Sequence, residues 1–107
     1  MISPPQTFAA EHLAASTETL RALAHPLRLD IVNLLRANGW VTVQSIYQSL
    51  GLEQSLTSQH LRVLRRADLV VAQRDGKHVS YRVNAERYAQ VERAIANFLG
   101  EETGALA

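Results

Sequence analysis

None of the 107 residues is cysteine, which excludes disulfides, thiolate metal ligation, thiol redox sensing and cysteine nucleophiles at once. Proline is scarce, and two of its three copies are Pro4 and Pro5. These lack backbone donors and bias their neighbours toward extended conformations, so residues 1–7 read as a disordered tail. No apolar run approaches the roughly 20 residues of a membrane span. Met1–Gln6 also lacks the basic start and apolar stretch of a signal peptide, and a cytoplasmic location is expected. The four histidines, His12, His25, His60 and His78, show neither the i, i+4 spacing nor the carboxylate clustering that metal sites favour. No metal or other cofactor is expected. Asp30, His25 and the hydroxyl residues form no nucleophile motif or paired-acid spacing, which argues against an enzyme.

The chain does have an ordinary globular balance, 47% hydrophobic and 20% charged, at a length that suits one domain. A domain this small buries only about two-thirds of its unfolded surface, which makes oligomerisation a useful extra source of stability. The net charge of +1 hides an asymmetry. Between Gln54 and Arg82, six basic residues face two aspartates, a net of +4, whereas the rest of the chain carries five arginines against eight glutamates and aspartates, a net of −3. A locally basic segment of this kind suits a phosphate backbone, although a solvated charged face has the same composition.

Periodicity divides the chain into elements. Thr7 can cap a first helix running to about Ala24, with Ala10, Leu13, Thr17, Leu20 and Ala24 on one stripe open to close approach by a partner helix. His25-Pro26 breaks it and starts a second helix, in which Leu27, Ile31, Leu34 and Leu35 form the buried face. After Asn38-Gly39, Thr42 can cap a third helix bearing Val43, Ile46, Tyr47 and Leu50, and Gly51 stops it. Gly51-Leu52-Glu53 then joins it to a fourth helix from Gln54 to Ala67, and two short helices across such a turn form a helix-turn-helix. The pattern next becomes extended on either side of Asp75-Gly76, a hairpin signal. Asn84 can cap a last helix with a narrow seam of Tyr88, Val91, Ile95 and Phe98, suited to pairing with another helix. Residues 8–99 thus form one domain, and residues 100–107 a frayed tail.

The fourth helix turns Thr57, Leu61 and Leu64 inward and leaves an outer arc of Gln54, Ser55, Ser58, Gln59, Arg62, Arg65 and Arg66. Serine and glutamine can pair with base edges in a major groove wide enough for a helix, and glutamine can engage both N6 and N7 of adenine. Gln54, Ser55, Ser58 and Gln59 are the base-edge candidates. Arg62, Arg65 and Arg66 are better suited to phosphates. Arg74, Lys77 and His78 flank the hairpin turn, where long side chains can reach a flanking phosphate or the minor groove. His60 falls on the inner flank of its helix, in a packing or phosphate-bonding role. Duplex DNA is the expected partner. A protein-docking module is the alternative, and strong salt dependence of duplex binding separates the two.

Three ordered motifs carry a closer likeness: Leu23-Ala24-His25-Pro26-Leu27-Arg28-Leu29, Ser55-Leu56-Thr57-Ser58-Gln59-His60-Leu61-Arg62-Val63-Leu64, and Asp75-Gly76-Lys77-His78-Val79-Ser80-Tyr81-Arg82-Val83. Over residues 13–99 the chain resembles the ArsR/SmtB family of bacterial winged helix-turn-helix repressors. The resemblance implies a mostly α fold with a small β-hairpin, ordered α-α-α-α-β-β-α. It also implies a homodimer formed through the first and last helices, repressing from an inverted-repeat operator. Metal-sensing relatives carry a cysteine pair at the start of the third helix, where this chain has Thr42-Val43-Gln44-Ser45, or Asp and His along the last helix, which here has no histidine. The family's usual sensor sites are therefore not expected. A small apolar ligand between subunits, or no effector, fits better. Two local departures are Glu53, a poor cap before the recognition helix, and Asp68, where relatives commonly have glycine.

Overall fold

The computed structural model describes residues 10–99, with side chains placed from Thr17 to Asn97. The expected terminal tails, the Thr7 cap and the side chains of Ala10, His12, Leu13 and Phe98 lie outside the described residues. The elements are α1 (Ala10–Leu23), α2 (Pro26–Asn38), β1 (Val41–Thr42), α3 (Val43–Leu50), α4 (Gln54–Arg66), β2 (Val70–Asp75), β3 (His78–Val83) and α5 (Ala85–Leu99).

Local chemistry fixes most of these boundaries. The Leu27 N–H donates to His25 Nδ1 at 3.1 Å, with Pro26 at the first helical position, so α2 starts where its own first-turn donors are satisfied. Thr42 Oγ1 accepts from the Ser45 N–H at 3.1 Å, and Asn84 Oδ1 from the Arg87 N–H at 3.2 Å. Helices α3 and α4 end alike. The Leu52 N–H reaches the Tyr47 carbonyl, and the Leu69 N–H the Leu64 carbonyl, across a residue in the left-handed region, the geometry of a Schellman cap. That residue is Gly51 (φ +65°) after α3 but Asp68 (φ +60°) after α4. The geometry at Asp68 is therefore the one glycine would give, held by burial of Leu64 and Leu69 on either side. A left-handed L-residue costs roughly 1–2 kcal/mol, and glycine's extra chain entropy returns part of this. Asp68→Gly is thus expected to raise the unfolding free energy by roughly 0.5–1 kcal/mol in urea titration. A decrease would show that the Asp68 side chain stabilises the corner.

The core gathers Ile31, Val32 and Leu35 of α2, Ile46 of α3, Leu61 and Leu64 of α4, Leu69 and Val70 at the sheet base, and Val91 of α5. Expectation and structure differ at three points. First, the hairpin gains a third strand: β1 pairs antiparallel with β3, Val41 opposite Tyr81 and Thr42 opposite Ser80, giving the order β1-β3-β2. Two residues are too few for any periodicity, and the pairing is non-local. Second, the turn is shifted by one residue. Asp75 pairs with His78, so Gly76 and Lys77 form the loop. A positive φ (+61°) falls on Gly76, the first central residue, and Lys77 has none, which is the type II′ pattern. Third, the part of the α1 stripe whose side chains are described faces outward. Thr17, Leu20 and Ala24 are exposed, and α1 buries Thr19, Ala22 and Leu23 instead.

Candidate nucleic-acid interface

Helices α3 and α4 and the wing, formed by β2 and β3, enclose an open concavity of about 380 Å³. Gln54 and Ser58 from the first turns of α4 line it, opposite Lys77, His78 and Val79 of the wing. The hydrophobic interior of α4 sets this orientation: Thr57, Leu61 and Leu64 are each at most 1% exposed. The Thr57 hydroxyl donates back to the Glu53 carbonyl at 2.9 Å, which satisfies the one buried hydroxyl on that face. Glu53 itself makes no side-chain cap, as its identity suggested.

The other candidates distribute along the same side. Ser55, Gln59, Arg62 and Arg65 are exposed on the outer arc of α4, outside the concavity. Arg74 lies opposite Val79 in the hairpin, so it shares that residue's face of the sheet. Arg66 is different. It lies about 18 Å along the helix from Gln54, in a small cleft with Arg21, Arg28 and Glu18. The convergent set is therefore Gln54, Ser58, Lys77 and His78, with Arg66 joining a separate basic cluster.

The family model described as "Bacterial regulatory protein, arsR family" matches residues 25–71. The HTH-type transcriptional regulator NmtR of Mycobacterium tuberculosis is 39% identical over 88 residues, spanning 82% of this chain and 72% of that protein. The chain belongs to the ArsR family. The HTH-type transcriptional repressor SmtB of the same organism is 37% identical over 92 residues, or 86% of this chain and 67% of that one. Among solved structures, a homodimeric winged helix-turn-helix DNA-binding domain, Mb0332 of Mycobacterium bovis, superposes with a TM-score of 0.72 at 26% identity. That match covers 94% of this chain and 92% of that one. The ArsR-family fold here is thus the winged helix-turn-helix that the element order implied, in a family of regulators rather than enzymes.

Sequence reasoning missed several members of these surfaces. Gln44 and Tyr47 of α3 line the concavity beside Gln54, and Arg21 and Arg28 sit with Arg66. The i, i+3 spacing of Gln44 and Tyr47, next to the turn of the helix-turn-helix, was the available signal for the first pair. The arginines belong to different helices, so no local pattern joins them. Among the described residues no group of three or more His, Cys, Asp or Glu side chains could hold a metal ion, and no helix is long and apolar enough to cross a membrane.

His60 is 9% exposed, and its ring centre lies 4.6 Å from that of His25, the α2 cap. Its Nε2 is buried without a hydrogen-bond partner. Burial first, then the neighbouring His25 and Arg28, hold its pKa below the ordinary value near 6.5. The folded protein therefore binds this proton more weakly than the unfolded chain does. The stability owed to the neutral ring is complete above about pH 6.5 and is lost as pH falls through the lowered folded value. Urea unfolding at pH 8 and pH 5 should show a drop in stability that is smaller in His60→Gln. Equal drops in both proteins would assign the effect to another group.

Proposed function

We propose that this ArsR-family chain is a sequence-specific transcriptional repressor that binds double-stranded DNA in the cytoplasm as a homodimer on an inverted-repeat operator. The observation that carries this reading is the shared concave face on which the start of α4 and the tip of the wing converge. A recognition helix presents its first turns to base edges in the major groove, and a hairpin beside it reaches the flanking backbone. In this reading Gln54, Ser55, Ser58 and Gln59 contact bases. Arg62, Arg65, Arg66, Arg74, Lys77 and His78 engage phosphates, joined by Gln44 and Tyr47 from α3. The relatives' descriptions as HTH-type transcriptional regulator and repressor support the same role.

An apolar surface on α1, α2 and α5 supports dimerisation. Leu20 of α1, Leu29 of α2 and Ile95 of α5 are 42%, 45% and 40% exposed, and all three line one groove of about 280 Å³. Ala24, on the same stripe as Leu20, lines this groove too, and Mb0332 is described as homodimeric. Residues 8–99 then hold both the DNA-binding and the dimerisation surfaces, and two recognition helices reach successive major grooves.

The wing's part is tested by salt. Each phosphate neutralised by a cation contributes about 0.9 to the slope of log K against log salt. Lys77→Ala is expected to weaken binding to cognate and unrelated duplex alike and to lower that slope by about one unit. An unchanged slope would remove Lys77 from the backbone contacts.

A further inference from the structure

A second cavity, about 720 Å³, opens between the end of α2, β3 and the start of α5. It is the size of a small-molecule site; it shares no lining residue with the recognition concavity and shares Tyr88 and Glu92 with the apolar groove. Two guanidiniums line it, each lying over an aromatic ring. Arg36 Cζ lies 4.4 Å from the centre of the Tyr88 ring, and Arg82 Cζ lies 4.9 Å from that of Trp40. Stacking of this kind fixes a guanidinium while leaving its N–H edge free, and that edge matches a carboxylate in a two-bond fork. Among the described residues neither arginine has a carboxylate partner. Two carboxylates, Glu86 and Glu92, line the same cavity, and Leu35, Val71 and Val83 supply its apolar wall.

A simple anion would satisfy the arginines but meet repulsion from the glutamates, and an amine would do the reverse. A molecule with both charges and an apolar body satisfies all three kinds of wall. From this geometry we propose that the cavity binds a small zwitterionic amino acid with an apolar side chain, its carboxylate on Arg36 and Arg82 and its ammonium toward Glu86 and Glu92. The cavity joins β3 of the wing to α5, so an occupant would tie the DNA-reaching hairpin to the helix carrying the apolar groove. That consequence rests on the repressor reading. The binding itself is tested without DNA and on Arg36, Arg82 and Glu86, which line the cavity and not the apolar groove.

L-leucine and L-phenylalanine are titrated into the full-length protein and followed by calorimetry and by fluorescence of Trp40, the one tryptophan of the chain. A saturable response is expected, with a dissociation constant of about 0.1–1 mM. Removal of a charge-assisted contact in Arg36→Ala, Arg82→Ala or Glu86→Gln weakens it roughly tenfold, read by calorimetry on variants whose thermal unfolding is unchanged. 4-Methylpentanoate, which lacks the ammonium, and isoamylamine, which lacks the carboxylate, bind more weakly than leucine. No saturable response up to about 10 mM, equal binding by the double variant Arg36→Ala/Arg82→Ala, or equal binding by 4-methylpentanoate overturns the proposal.

Discussion

Ile95→Glu is expected to leave a folded monomer that has lost high-affinity operator binding. In the single protomer Ile95 is already 40% exposed, so a charge there disturbs the protomer's own core little. In the proposed dimer the same side chain lies where two apolar faces meet. A desolvated, unpaired charge at that seam costs several kcal/mol, enough to raise the dimer dissociation constant on the order of 10²–10³-fold. Sedimentation velocity should show a monomer at concentrations where the parent protein is dimeric, with an unchanged far-ultraviolet circular dichroism spectrum. Operator binding then falls to that of one half-site. A variant that still sediments as a dimer and still holds the operator would show that the α1/α2/α5 groove is not the interface.

The second large effect is expected on the recognition helix. Replacing Ser58 or Gln59 by Ala should weaken binding to the cognate site by about 1–3 kcal/mol, with a smaller change on unrelated duplex, because a lost base contact removes discrimination as well as affinity. The two positions differ in a useful way. Ser58 lines the concavity shared with the wing, whereas Gln59 is exposed on the outer arc of α4. Equal losses on both duplexes for either variant would move that residue from base reading to backbone contact.

Much of this architecture was legible because short-range chemistry decides it. The start of α2 at Pro26 and the caps at Thr42 and Asn84 are local, and so are the glycine after α3 and the inward face of α4, where Thr57, Leu61 and Leu64 are buried as their spacing implies. The parts that were not legible depend on partners distant in sequence. Strand β1 exists only because Tyr81 and Ser80 lie across from Val41 and Thr42. The turn register follows from which residue accepts a positive φ, and both Asp75-Gly76 and Gly76-Lys77 contain the glycine that can.

Helix α1 illustrates a second limit. On its most regular stripe Thr17, Leu20 and Ala24 are exposed, and the core takes Thr19, Ala22 and Leu23. Periodicity identifies a face that seeks a partner without saying whether the partner is the same chain. Thr19 could not be read as a core residue, yet its hydroxyl accepts from Arg87 at 2.8 Å across 68 residues. The candidate interface divides in the same way. The polar arc of α4 was visible as an arc, but which of its members meet the wing depends on the tilt of the hairpin. Gln54 and Ser58 converge on Lys77 and His78, and Arg66 instead meets Arg21 and Arg28.

The proposed repressor reads duplex DNA sequence-specifically through a two-fold pair of recognition helices. Selection of bound duplexes from a random pool by the purified full-length protein, at physiological salt, tests it most directly. The expected result is enrichment of an inverted repeat whose half-site centres lie one helical turn, about 34–36 Å, or a multiple apart. The enriched sequence should be bound about 10³-fold or more tightly than unrelated duplex, with affinity falling steeply as salt rises. A pool that stays random after repeated rounds, or retention that does not depend on salt, would contradict it.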